Sequence, residues 1–132
     1  MENNNFEEIN CYTDASYSKE KSKSVIAYKI SNEQIKTIIL DDTKNTQTEL
    51  HGIEFCIKYT IQNYPTVKII NIHTDCQNAW KQNYPIYKNS DNLPIEINLI
   101  KIKGHQQMKS MDDKDLIFKQ VDKMARKILR NL

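Results

Sequence analysis

Residues 46–75 read TQTELHGIEFCIKYTIQNYPTVKIINIHTD, and a change of period inside this stretch decides the fold. Leu50, Ile53, Ile57, Ile61 and Tyr64 recur at helical spacing until Pro65, which lacks an N–H and cannot continue the helix. From 67 to 74 the run VKIINIHT has strand length and is rich in Ile and Val, as a buried strand is, and Asp75 follows it. A helix that leads into a buried strand is the connection parallel strands require.

Upstream, residues from about 8 to 17 are rich in Ile, Tyr and Thr. Lys- and Ser-rich residues follow, then VIAYKI (25–30) and QIKTIIL (34–40), which together predict three strands joined by turns. Downstream, CQNAWKQ (76–82) predicts a short helix ending before Pro85, and IEINLIKI (95–102) a fifth strand. From about Asp113, a stripe of Ile117, Val121, Met124, Ile128 and Leu132 predicts an amphipathic helix packed on a sheet. The series β-β-β-α-β-α-β-α implies an α/β fold. Its mixed five-stranded sheet has three antiparallel strands and then parallel ones, flanked by helices, with the fourth strand parallel to the first through a right-handed crossover.

With 132 residues and no internal repeat, the chain is expected to form a single domain over 1–132. A composition 39% hydrophobic and 27% charged is that of a globular protein, neither disordered nor membrane-embedded. Cys11, Cys56 and Cys76 are odd in number and form no CxxC pair, which argues against a disulfide framework or a zinc ribbon. No apolar run spans a membrane and the first residues lack the pattern of a secretory signal, so a cytoplasmic protein is expected; a monomer is expected too, though no residue pattern points to an oligomeric state. A net charge of +2 does not by itself indicate nucleic acid. Local clusters say more: Lys19, Lys21 and Lys23 crowd one segment, and Lys119, Lys123, Arg126, Lys127 and Arg130 another, where a phosphate backbone could rest on what is otherwise a solvated helix face.

The candidate chemistry lies in carboxylates. Thr13-Asp14 in the first strand is repeated as Thr74-Asp75 at the end of the fourth. Parallel neighbouring strands lie about 4.8 Å apart, so the two aspartates can meet at one edge, where they repel unless a cation neutralises them. All-oxygen sites of this kind suit Mg²⁺. Either aspartate alone could be an ordinary turn former. Glu49 stands on the first helical turn, where Thr46-x-x-Glu49 also reads as a capping box. His73 reads as a strand residue near the site, His51 as structural, Trp80 as core and Cys76 as a small hydrophobe. Only Gly52 and Gly104 are present, which leaves no Gly-rich phosphate loop.

In these pieces the chain resembles the ribonuclease H family, type 1: YTDAS (12–16), NTQTELHGI (45–53), HTDCQ (73–77), KGH (103–105) and VDKMAR (121–126) follow in the family's order. The resemblance implies a metal-binding tetrad of Asp14, Glu49, Asp75 and Asp122 and a mobile-loop histidine at His105. It also implies contacts with the substrate through Asn45, Gln77 and Ser16, the first two against the RNA strand in the minor groove. The implied activity is hydrolysis of the RNA strand of an RNA–DNA hybrid, leaving 5′-phosphate and 3′-hydroxyl ends. Two Mg²⁺ ions, or Mn²⁺, would bridge the carboxylates and the scissile phosphate.

The chain departs from the family's pattern in three places. Residues 84–94 leave no room for a basic protrusion, Ala15 stands where many members have glycine, and the stretch after His105 is long. The last makes the fourth ligand a choice, since Asp115 stands ten residues after His105 and Asp122 seventeen. Local context favours Asp122, because Ala125 follows it where the helix needs a small residue, while Asp115 is followed by Phe118. Asp115 is then expected near the helix start. Competing functions are another nuclease of the same fold acting on DNA, or a non-catalytic nucleic-acid-binding remnant of a reverse transcriptase.

Overall fold

The structure is a computed structural model that describes residues 7–41, 45–76, 79–81, 84–102 and 113–132, with the side chains of 45, 46 and 81 left aside. Strands β1 (Glu8–Ser18), β2 (Lys23–Ile30) and β3 (Lys36–Asp41) precede helix α1 (Asn45–Asn63). Strand β4 (Ile69–Thr74), a 3₁₀ turn at Ala79–Lys81, strand β5 (Glu96–Lys101) and helix α2 (Asp113–Arg130) complete the series. The sheet order is β3-β2-β1-β4-β5, antiparallel for β1–β2 and β2–β3 and parallel for β1–β4 and β4–β5, as the sequence predicts. Where a short helix is predicted after Asp75, the described residues form only the three-residue 3₁₀ turn. Among the described residues, no helix is long and apolar enough to cross a membrane.

Side chains of β1 alternate between the two faces of the sheet, and each face is covered by one helix. Ile9 and Cys11 join Ile26, Ile53, Cys56, Ile57, Ile70 and Ile72 in the core beneath α1. Tyr12 joins Val25, Ala27, Phe118, Val121 and Ala125 beneath α2. Period-two alternation then carries Asp14, Ser16 and Ser18 to the α2 side.

Helix α1 comes unusually close to the sheet at Gly52, where an added Cβ would lie 2.7 Å from Thr13 Oγ1 and 3.0 Å from Ile26 Cγ2. Its far end is tied to the β2–β3 turn, since Tyr59 and Tyr64 donate hydrogen bonds of 2.7 and 2.6 Å to the two carboxylate oxygens of Glu33. Both phenols are held up at about 12, Tyr59 chiefly by that bond and Tyr64 chiefly by burial. On α2 the buried line is Phe118, Val121 and Ala125, with Ile117, Met124, Ile128 and Leu129 flanking it. The predicted stripe is thus shifted about the helix, because Ala125 lets the backbone approach the sheet. Leu132, past the helix end, is 44% exposed and not part of the stripe.

Candidate active site

Parallel pairing of β1 with β4 runs from Glu8↔Ile69 to Tyr12↔His73. Asp14 and Asp75 each lie two residues beyond that last pair, which sets them side by side where the two strands part. Carboxyl ends of parallel strands are where open α/β sheets bind ligands. Under the aspartates lies a flat platform: the Tyr12 and His73 rings stack with centroids 4.5 Å apart, and His73 Nε2 lies 3.0 Å from Asn10 Oδ1. His73 is therefore buried beneath the site rather than part of its surface. His51, expected to be structural, is exposed on α1. It borders a shallow apolar groove with Ile38, Leu40 and Phe55 instead of entering the core.

Glu49, on the first turns of α1, reaches the same edge. One carboxylate oxygen from each of Asp14, Glu49 and Asp75 lies within 4.8 Å of the others. Asp14 is 6% exposed, Glu49 half-buried and Asp75 open to solvent. Burial pushes the Asp14 carboxyl up to about 9, with a hydrogen bond to Asp122 and the charges of Asp75 and Asp122 adding to the effect. Asp75 is exposed as a residue, but its carboxyl is partly shielded where it faces the cluster, and that shielding and the charge of Asp122 raise it against the pull of Arg126. Glu49 is raised by burial and by Asp75, while a hydrogen bond from the Cys76 thiol lowers it.

Asp122 comes from α2, two turns past Asp115, which lies in that helix's first turn. Arg126 donates to both carboxylate oxygens of Asp122 through Nε and Nη2, a bidentate pair that fixes the carboxylate's orientation. The geometry therefore brings Asp14, Glu49 and Asp75 together, with Asp122 beside Asp14 but outside that group of three. Ser16 lies just beyond, lining a cavity between β1 and α2. His105 and Gln77 lie outside the described residues, as does the side chain of Asn45, whose backbone opens α1.

The sequence reading missed two contributors. Cys76 packs in the α1 core as expected, yet its thiol also serves Glu49. Gly52, which carried no motif beyond its place in NTQTELHGI, sets the distance between α1 and β1. Nothing in hydrophobic period marks either one. Its place one turn after Glu49 on the buried side of α1 was the available signal for Gly52.

Three carboxyl groups whose charged forms are all disfavoured, converging on one point, make a site that a cation would stabilise. The donors are all oxygen, which fits a hard divalent ion such as Mg²⁺ or Mn²⁺. A search of the curated proteins finds no match to this chain. The sequence model of the family described as RNase H matches residues 6–130, nearly the whole chain, and the chain belongs to that family.

Proposed function

We propose that this chain, acting as a single domain, is an endonuclease that hydrolyses the RNA strand of RNA–DNA hybrids and leaves 5′-phosphate and 3′-hydroxyl ends. The observation that carries the reading is the convergence of Asp14, Glu49 and Asp75 within 4.8 Å at the ends of two parallel strands. Asp122 joins them through its hydrogen bond with Asp14. Membership of a nuclease family that normally uses divalent metals supports it. Asp14, Glu49, Asp75 and Asp122 would hold Mg²⁺, two ions with substrate. Bound metal supplies Lewis-acid stabilisation of the scissile phosphate and of the leaving 3′ oxygen.

The chain's own residues set the conditions for that chemistry. Without a cation, the charged carboxylates that remain in the cluster repel an incoming phosphate, so substrate and metal should bind together. Asp14 projects from the central strand of the sheet, and Arg126 holds Asp122 in one orientation. Preorganised ligands of this kind spare reorganisation during the reaction. Asn45 and Gln77 would contact the RNA strand, where 2′-hydroxyls distinguish it from DNA, and Ser16 would contact the substrate beside the carboxylates. His105 would assist proton transfer or product release.

The test is a hybrid labelled on its RNA strand, incubated with Mg²⁺ and with EDTA beside duplex DNA of the same sequence. Cutting of the RNA strand only, and only with Mg²⁺, is expected. No Mg²⁺-dependent cutting, or equal cutting of the DNA duplex, would overturn the reading.

A further inference from the structure

The two basic segments of the sequence meet in space, through contacts of Lys21 with residues 108 and 109 positions further along the chain. Lys21 Nζ donates hydrogen bonds of 3.0 Å to the carbonyl oxygens of both Leu129 and Arg130 at the end of α2. Lys21 is held from its backbone too, since its N–H donates to Ser18 Oγ at 3.2 Å in a turn where Ser22 takes a φ of 53°. A helix carries partial negative charge at its C-terminus, which by itself repels anions. Here Lys21 neutralises that end and keeps one of its three N–H donors unused by these bonds.

The resulting cavity, about 280 Å³, is lined by Ser16, Ser18, Lys21, Arg126 and Arg130 with Leu129. Among the described residues, no carboxylate lines it. Ser16 and Ser18 project to the same side of β1 as Asp14, at steps of about 6.6 Å per two residues. Arg126 spans both places, pairing with Asp122 on one side and facing the cavity on the other. Two hydroxyls and three cationic groups around an open cavity are the donor set of a phosphate site.

We infer that this cavity is a docking site for a backbone phosphodiester of the bound nucleic acid, on the cleaved strand and within a few nucleotides of the phosphate at the carboxylates. The inference rests on the proposed function in taking the hybrid as ligand. Ser16 stands one two-residue step of about 6.6 Å from Asp14 along β1, so a phosphate held there is a near neighbour of the one at the carboxylates along the same strand. The site supplies grip to a chain whose residues 84–94 form a pinned loop without a helix. In that loop Asn89 accepts from the N–H groups of Asp91 and Leu93 and donates to Val67.

Arg130→Gln tests it, since that exposed side chain belongs to neither the carboxylate cluster nor the core. Binding of the hybrid would be measured in Ca²⁺ over a range of salt, with hybrids carrying one neutral methylphosphonate linkage at successive positions on either strand. Arg130→Gln should weaken binding about threefold or more and reduce the slope of log K against log salt by about 0.9. One linkage on the cleaved strand should weaken the parent when neutralised and leave Arg130→Gln unaffected, the coupling expected of groups in contact. Equal slopes for parent and variant, additive losses at every linkage, coupling confined to the DNA strand, or no binding of the hybrid at all would each overturn the site. RNA cutting by a parent whose Arg130→Gln variant binds identically would remove the cavity and keep the hydrolase reading. Binding with the predicted coupling but without Mg²⁺-dependent cutting would do the reverse.

Discussion

The carboxyl groups of Asp14 and Asp122 share a hydrogen bond, one on the central strand of the sheet and the other on the helix that covers it. Two carboxyl groups can bond this way only while a proton lies between them. The folded, metal-free chain therefore holds a proton that the unfolded chain gives up.

The first prediction is a pH dependence of stability without metal. The Asp14 carboxyl titrates near 9 in the folded chain, with the cluster sharing the proton, against 3.8 when unperturbed. Between those values the folded state binds more protons than the unfolded state, so its contribution to stability is full below about pH 4 and declines as pH rises towards 9. Thermal melting in EDTA should show stability falling from pH 5 to pH 8 by at least about 1 kcal/mol, or about 4 °C. Asp14→Asn should flatten that fall, and Mg²⁺ should raise the parent's melting temperature most at pH 8. Parallel pH profiles for parent and Asp14→Asn would contradict it.

Second, the two candidate aspartates of α2 should separate in activity. Asp122→Asn removes the ionisable carboxylate beside Asp14 while keeping its shape, and should lower RNA cleavage by about 10²-fold or more. Asp115→Asn, two turns away and about 10 Å along the axis, should keep activity within about threefold. It should cost about 0.3–1 kcal/mol of stability, because a negative charge in the first turn favours the helix. A fully active Asp122→Asn variant would move the fourth position elsewhere.

Third, Gly52→Ala asks whether helix spacing controls the site. Alanine gains about 1 kcal/mol in helix propensity over glycine. Its Cβ would nevertheless lie 2.7 Å from Thr13 Oγ1, beside Asp14, so α1 must retreat or the Thr13 side chain must turn. Overpacking of that kind costs about 1–3 kcal/mol. A net loss of stability is expected, with cleavage falling further than stability accounts for, because Glu49 one turn away moves with the helix. Parental stability and rate would show that the contact yields without consequence.

The mixed sheet, antiparallel strands followed by parallel ones, was legible because each strand and helix carries its own period, and the switch at residue 46 admits few topologies. The aspartates of β1 and β4 were legible for the same reason: Thr13-Asp14 and Thr74-Asp75 end up in equivalent positions once the strands are parallel. Contacts between elements were not. Whether Lys21 meets the end of α2, how near Gly52 comes to Thr13, and which way the α2 stripe is turned all depend on packing across faces. A one-dimensional pattern leaves such distances open. The choice of Asp122 over Asp115 is an intermediate case, since it turned on the small residue Ala125, whose full burial against the sheet the structure displays.

The last prediction concerns Cys76, read from sequence as a small hydrophobe, whose thiol donates to Glu49. Cys76 is 5% exposed, so its removal leaves Glu49 without that donor in a place water scarcely reaches. Burial already raises the Glu49 carboxyl and the Cys76 bond works against that rise, so Cys76→Ala should raise it further. A carboxyl that holds its proton more tightly binds a cation less readily at low pH, and the difference vanishes once the group is ionised in both proteins. The Mg²⁺ concentration for half-maximal cleavage should therefore rise for Cys76→Ala at pH 6, by about threefold or more, and converge with the parent's at pH 9. Cys76→Ser, which keeps a donor, should stay near the parent at both values. Both variants lose some core packing, and a general loosening would raise the Mg²⁺ requirement equally at both pH values and in both variants. A Mg²⁺ requirement in Cys76→Ala that matches the parent at pH 6 would return Cys76 to the role of core filler.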